Sequence, residues 1–450
     1  MARPGATNIA FSASLGLRGP KAGVRFWPKG RKNRGKSRGK AFIWLLQSIT
    51  MRVSPFSWTH NLWHTVEMAK SKANKKVEPQ NSVTLVGTSV RAVAWSAVRA
   101  GERPLCLDLF NDTDLLGLPG VIAKRMKNWP PEELDELVPE GIPWAYTGGL
   151  ENYPRLVGML AKQAPLHGNS GETLLNARLP WRWCEKLQAA GACVPEWAFA
   201  PPAGAADGWM HKPLRSAGGK GVRAWPEGGK ALPWRWFAQR KVEGLSASAV
   251  FAVSTGEFEL LGVTEQWVGK EWLGSKGYAY CGSIGPIEFS EDLRGQLELI
   301  GKGLQSMELR GLVGVDLVIE GDKAWVIEIN PRWPASVELL ERAGGYSAWE
   351  WHRWGCVGGL PRPRVAGKVS GCIAKAIFHA PVDLEFPAEW PRNRANTWAD
   401  LPAPGEKIKA GSPVLTCLAA APTRLLCDGL ILERVEVARG LLGLTGKIVD

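Results

Sequence analysis

The apolar residues of this chain fall into short runs, and their spacing sorts them into strands and helices. Patterning begins near Ser82. Val83–Val86 is a continuous apolar run of buried-strand length, and Gly87-Thr88-Ser89 turns the chain. Arg91–Ala100 has helical spacing and stops at Gly101, and Leu105–Phe110 is a second strand ending in the polar turn Asn111-Asp112. This strand–helix–strand order predicts a small parallel-sheet domain, extended by a strand at Ile142–Tyr146 and a helix from Glu151 to Gln163. Leu179–Ala190 reads as a helix, Trp209–Leu214 as a short strand, and 215–223 (RSAGGKGVR) as a glycine-rich loop. Strands follow at 238–242, 247–253 and 258–264, then a helical stretch over 292–307. Leu312–Ile319 and Ala324–Ile329 form a hairpin about Gly321-Asp322. From about residue 360 proline and glycine rise, and turns alternate with short strands, as in LPAPGEKIKAGSPVLT (401–416).

A charge inside an apolar strand is costly unless something binds it. Asp316 interrupts the first hairpin strand, and Glu328 and Asn330 close the second. With the turn at 321–322, Asp316 falls opposite residues 327–328, and Glu328 and Asn330 share a face. Three oxygen donors thereby converge at one end of the ribbon. Hard oxygen donors of this kind suit magnesium bound to nucleotide phosphates. The guanidinium of Arg332 stands just beyond, placed to hold another anion.

Charge changes the picture once it is located. The net charge is +13, but residues 1–80 carry 16 Lys or Arg against only Glu67 and Glu78. The rest of the chain, with 40 basic and 41 acidic residues, is nearly neutral. The run RKNRGKSRGK (31–40) reads as a solvated, disordered basic block. The apolar stretch Ala41–Met51 imitates a signal peptide but follows far too long a segment, and Met51 and Met68 offer alternative starts. No apolar run reaches 18 residues, so no transmembrane helix is expected. The eight cysteines, 106, 184, 193, 281, 356, 372, 417 and 427, form no Cys-x-x-Cys pair, which fits reduced thiols in a cytoplasmic protein.

Two further constellations stand upstream of the hairpin. Lys212 with Ser216, Gly218, Gly219 and Gly221 pairs a cation with backbone that can approach phosphate closely, and it is not a Walker A motif. Gln239-Arg240-Lys241-Val242-Glu243-Gly244 is a strand end able to meet adenine through its backbone, with an acid for ribose. In this order, over about 120 residues, the chain resembles an ATP-grasp enzyme; the similarity covers roughly 81–345. YTGGLENYP (146–154), GVTEQWVG (262–269) and YAYCGSIGP (278–286) resemble the carboxylate–amine ligase branch that includes tyramine–glutamate ligase. Glu265, Gln266, Tyr280 and Gly282 fall where an acceptor site could lie.

The resemblance implies a mixed α+β and α/β architecture, the ATP-grasp fold, with these boundaries: a basic extension (1–80), a parallel α/β domain (81–175), a lid (176–245), an ATP-binding α+β core (246–358) and a small β-rich C-terminal module (359–450). It implies that Lys212 touches the α- and β-phosphates and that the 216–221 loop closes over the γ-phosphate. Gln239, Lys241, Val242 and Glu243 would line the adenosine, and Asp316, Glu328 and Asn330 would hold one or two Mg²⁺, or Mn²⁺. Arg332 would steady the transferred phosphoryl group, and Arg178 stands where the family usually carries another basic residue, often lysine. The activity implied is condensation of a small-molecule carboxylate with an amine, through an acyl phosphate and with release of ADP. A homo-oligomer is compatible with this. The alternatives are a biotin-carboxylase-like carboxylase, against which no Met-Lys-Met motif is present, and a nucleic-acid-associated protein acting non-specifically through residues 1–80.

Overall fold

The computed structural model describes residues 81–130, 133–202, 207–226, 235–361, 371–391 and 396–444. The basic extension expected over 1–80 lies outside them. The first sheet is parallel: Val83–Gly87 (β1), Pro104–Asp108 (β2), Ile122–Arg125 (β3) and Trp144–Tyr146 (β4) stand in the order β3-β2-β1-β4. Around it lie the helices Arg91–Arg99 (α1), Thr113–Leu116 (α2), Leu134–Leu137 (α3), Pro154–Gln163 (α4) and Gly171–Arg178 (α5). The helix expected from Glu151 begins instead at Pro154, which takes the first turn where no amide donor is needed, and residues 150–152 form a 3₁₀ turn. Pro180–Ala189 (α6) follows α5 directly, because Leu179, extended as a residue before proline tends to be, ends the earlier helix at Arg178.

A second, antiparallel sheet holds Trp197–Ala198 (β5), Trp209–Pro213 (β6), Arg223–Ala224 (β7) and Trp236–Arg240 (β8), ordered β5-β8-β6-β7 over a small core of Trp209, Trp225 and Ala238. The third and largest is antiparallel throughout. It comprises Leu245–Ser254 (β9), Glu257–Val268 (β10), Tyr280–Gly285 (β11), Gly311–Glu320 (β12), Lys323–Asn330 (β13) and Cys372–His379 (β14), with Trp398–Ala399 and Pro413–Ala421 at its end. Leu384–Glu385 (β15) and Lys407–Ile408 form a separate pair, so the last three strands in chain order are Trp398–Ala399 (β16), Lys407–Ile408 (β17) and Pro413–Ala421 (β18). The strand order of the large sheet is β13-β12-β9-β10-β11-β14-β18-β16.

Both faces of this sheet are covered, which explains why β9 reads as an almost unbroken apolar run. Ala247, Ala249, Phe251 and Val253 face the core that includes Leu293, Leu297, Ile300 and Leu304 of helix Glu291–Ser306 (α7). The alternate residues Val250 and Ala252 face a core shared with α1 and with Val337–Gly344 (α8) and Ala348–Val357 (α9). That shared core joins the parallel domain to the central sheet. A buried ion cluster reinforces the joint: Glu338 of α8 accepts from Arg91 at 2.5 Å, Lys375 at 2.9 Å and Arg342 at 3.0 Å, and Arg91 also reaches Asp400 at 2.9 Å.

The β-rich stretch expected from residue 359 contributes its two long strands, β14 and β18, to the central sheet, and only β15 and β17 pair on their own. It ends in a long helix, Arg424–Leu441 (α10), whose Cys427, Ile431, Val435 and Ala438 pack under those strands. Turn-rich composition hid both facts, since neither sheet membership nor a late amphipathic helix follows from local proline and glycine. All eight cysteines are free thiols, and among the described residues no helix is long and apolar enough to cross a membrane.

Candidate active site

The hairpin β12–β13 pairs Asp316 directly with Glu328, and Gly314 with Asn330. A register shift between Asp316 and Leu317 bends the ribbon at the acidic pair, the usual effect of a bulge. The carboxylate of Asp316 accepts from the Gln266 amide at 2.9 Å and from the Asn330 amide at 3.1 Å. Burial, and then Glu328 opposite, push Asp316 up to about 6. Burial alone would raise Glu328 too, but Arg178 and Lys212 outweigh it and hold that carboxyl below its ordinary range. Neighbouring acids thus sit in opposed environments, one against amides and one against cations.

Arg178, projecting from the end of α5, donates to Glu328 at 2.8 Å, to Asn152 Oδ1 at 3.1 Å and to the Ser216 carbonyl at 3.1 Å. One planar fork therefore ties the acidic hairpin to the glycine loop. Lys212, on the buried strand β6, donates to Gln239 Oε1 at 3.0 Å and to the Ile327 carbonyl at 2.8 Å. Burial lowers its pKa against the pull of Glu328 and Asp316. Arg332 meets the fully buried Glu151 at 3.1 Å and Asn330 Oδ1 at 3.0 Å.

These groups open on a cleft of about 440 Å³. Lys212, Gly218 and Gly219 line it, as do Gln239, Lys241, Val242 and Glu243, and Asp316, Glu328, Asn330 and Arg332. Gly219 has φ +76°, and a Cβ there would come 1.8 Å from the Tyr278 carbonyl oxygen, so the loop's close approach to the next segment requires glycine. The loop is also held by Tyr280 N–H donating to the Gly218 carbonyl at 3.1 Å. Ser216, Gly221 and Arg178 do not line the cleft: the Ser216 carbonyl accepts from Arg178 and Asn152, and Gly221 lies beside Pro213. At the strand end Lys241 and Glu243 pair with each other at 2.5 Å on the surface.

A larger cavity, about 730 Å³, adjoins the first and shares Gly218, Tyr280, Arg332 and Ala335 with it. Of the four acceptor candidates, Tyr280 lines both cavities and Gln266 lines the first. Glu265 is occupied by Arg424 at 2.9 Å, and Gly282 is packed between Trp267 and the backbone of β14, so these two serve the sheet. Pattern reading missed Glu151 and Asn152, which anchor Arg332 and Arg178. The only local signal was a pair of polar residues placed just before a helix-starting proline.

Among the described residues no three His, Cys, Asp or Glu side chains gather at one point. The donor set offered here is instead two facing carboxylates and an amide oxygen, all hard, with Arg332 and Lys212 supplying positive charge around them. That set fits a divalent cation carried in on phosphate oxygens.

Residues 180–336 match the family described as "ATP-grasp domain". No curated protein sequence matches the chain. Among solved structures, the biotin carboxylase domain of Hydrogenobacter thermophilus 2-oxoglutarate carboxylase, in complex with MgADP, ADP and bicarbonate, is similar at TM-score 0.62 and 13% identity, over 80% of this chain and 90% of that one. The L-amino acid ligase of Bacillus licheniformis is similar at TM-score 0.59 and 12% identity, over 80% and 98%. N5-carboxyaminoimidazole ribonucleotide synthetase from Thermus thermophilus is similar at TM-score 0.55 and 18% identity, over 82% and 99%. The molecule has the ATP-grasp fold.

Proposed function

We propose that this chain is an ATP- and magnesium-dependent ligase that activates a small-molecule carboxylate as an acyl phosphate and condenses it with an amine. The observation that carries the reading is the facing pair Asp316 and Glu328 in a cleft that also presents Lys212 and Arg332. A carboxylate oxygen attacks the γ-phosphorus, the bond to ADP breaks, and the amine then displaces phosphate and loses a proton. Both reacting partners are anions in the first step, so the protein's task is to align them and neutralise charge. Lys212 would hold the non-transferred phosphates, with the backbone of Gly218 and Gly219 beside it on the cleft wall. Arg332, common to both cavities, would steady the group passing between them. Asp316, Glu328 and Asn330 would hold the magnesium ion, which supplies charge neutralisation on the phosphates. Gln239, Lys241, Val242 and Glu243 would line the nucleoside.

The test is phosphate release from Mg-ATP across a panel of carboxylates and amines, with mass detection of the condensed product. Turnover that needs both a carboxylate and an amine supports the ligase. Hydrolysis activated by bicarbonate alone, with no amine requirement, would replace it with the carboxylase-like reading. Absence of turnover on any pair removes it.

A further inference from the structure

The larger cavity has its own charge logic. Its ionic lining is paired almost throughout: Asp400 with Arg91, Glu406 with Arg125, Lys375 with Glu338, Lys409 with Asp383 and Arg332 with Glu151. Lys220 and Lys407 are exposed to solvent. Asp112 is the exception. It lines the cavity, is only 4% exposed, and has no hydrogen bond or ion pair to its side chain among the described residues. It occupies the N-cap of α2, where an aspartate ordinarily accepts from helix amides, yet it makes no capping bond.

Its acidic neighbours are committed elsewhere. Asp108 accepts from the amides of Val90, Phe110 and Asn111, and Asp114 from those of Asp400 and Leu401. Asp112 is therefore the one carboxylate of the cavity wall, among the described residues, that has no partner. A buried carboxylate without a partner is strongly disfavoured when ionised. Burial, then Asp400, Asp108 and Asp114, push it up to about 9, with Arg91 opposing, so Asp112 is uncharged at neutral pH and gives up its proton to solvent when a cation docks beside it. Asp112 offers a single counter-charge, which suits an ammonium group whose remaining N–H donors are met by neutral acceptors or water. The rest of the wall is largely apolar and aromatic, including Phe110, Trp129, Tyr153, Trp333 and Val414.

We propose that the larger cavity binds an alkyl- or arylalkyl-ammonium compound, its cation paired with the Asp112 carboxylate and its apolar body against Trp129, Tyr153 and Trp333. Identifying this compound with the amine substrate rests on the ligase reading; the docking itself does not.

The experiment titrates benzylamine and hexylamine, against benzyl alcohol and hexanol, into the full-length protein, with binding followed by saturation-transfer NMR. The wild type should bind each amine at least about tenfold more tightly than its alcohol, the order of one charge-assisted contact in a desolvated site. Asp112→Asn should erase that preference while melting no lower than wild type, because no capping bond is lost. Asp112→Ser, which keeps an oxygen able to cap, should behave alike. Equal affinity of wild type for amine and alcohol, an unchanged preference in both variants, or a variant melting several degrees lower would overturn the assignment. Amine preference without any carboxylate-dependent ATP turnover would remove the ligase reading and leave this site standing. Ligase turnover whose amine KM ignores Asp112→Asn would do the reverse.

Discussion

Glu328 and Asp316 differ by what surrounds them, not by what they are. Glu328 is fixed as an anion by Arg178 and Lys212, whereas Asp316 is held by two amides and pushed upward by burial. Replacing Glu328 with Gln keeps the shape and removes the charge that both cations face. ATP turnover should fall about 100-fold or more in a protein that still unfolds cooperatively in urea, on the scale of losing one preorganised group at a developing charge. Normal turnover in a folded Glu328→Gln protein would sink the assignment. Arg178→Lys preserves charge but cannot reach Glu328, Asn152 and the Ser216 carbonyl together. Its kcat/KM for ATP should drop about tenfold, measured at saturating magnesium. The pairing of Asp316 with Glu328 was legible from strand alternation and the turn position. Glu151 was not, because its role depends on a contact with Arg332, 181 positions away.

At the level of elements, two joints carry the site. Glu338 on α8 gathers Arg91 from α1 and Lys375 from β14, with Arg342 one turn along its own helix. Glu338→Ala strands buried cations and should cost about 3–5 kcal/mol in urea unfolding. The other joint is His352 on α9, whose Nδ1 accepts from the Leu312 amide at 3.0 Å while Nε2 lies 3.1 Å from the His167 carbonyl. Accepting from an amide requires an unprotonated Nδ1, so this histidine is neutral. Burial, and then His167, lower its pKa to about 4. The unfolded chain binds that proton more readily. The stabilisation is therefore fully present above about pH 6.5 and is lost as pH falls toward 4, on the order of 3 kcal/mol. Urea midpoints of wild type and His352→Gln should converge over that window, and a constant gap would count against it. The strands β1, β2, β4, β6, β8, β9, β10, β12 and β13 and the helices α1, α4, α6 and α7 were readable from periodicity, whereas β3, β5, β7 and β11 were not. The elements α8, α9 and α10 were not, since their apolar faces are interrupted by charged or aromatic residues whose partners lie across the sheet.

For the whole molecule, the excess positive charge lies outside the described residues. The segment 1–80 carries the excess of lysine and arginine, and the remainder is close to neutral. Deleting residues 1–75 should leave the affinity for Mg-ATP unchanged, by equilibrium titration, while abolishing retention on heparin at low salt. Weakened nucleotide binding in the truncated protein would show that the extension takes part in the chemistry. Four residues, Gly218, Tyr280, Arg332 and Ala335, form the boundary common to the two cavities. In the proposed reaction, an activated intermediate made on one side of so thin a partition would have almost no distance to travel before meeting the second reactant, so that proximity would decide its contest with stray solvent.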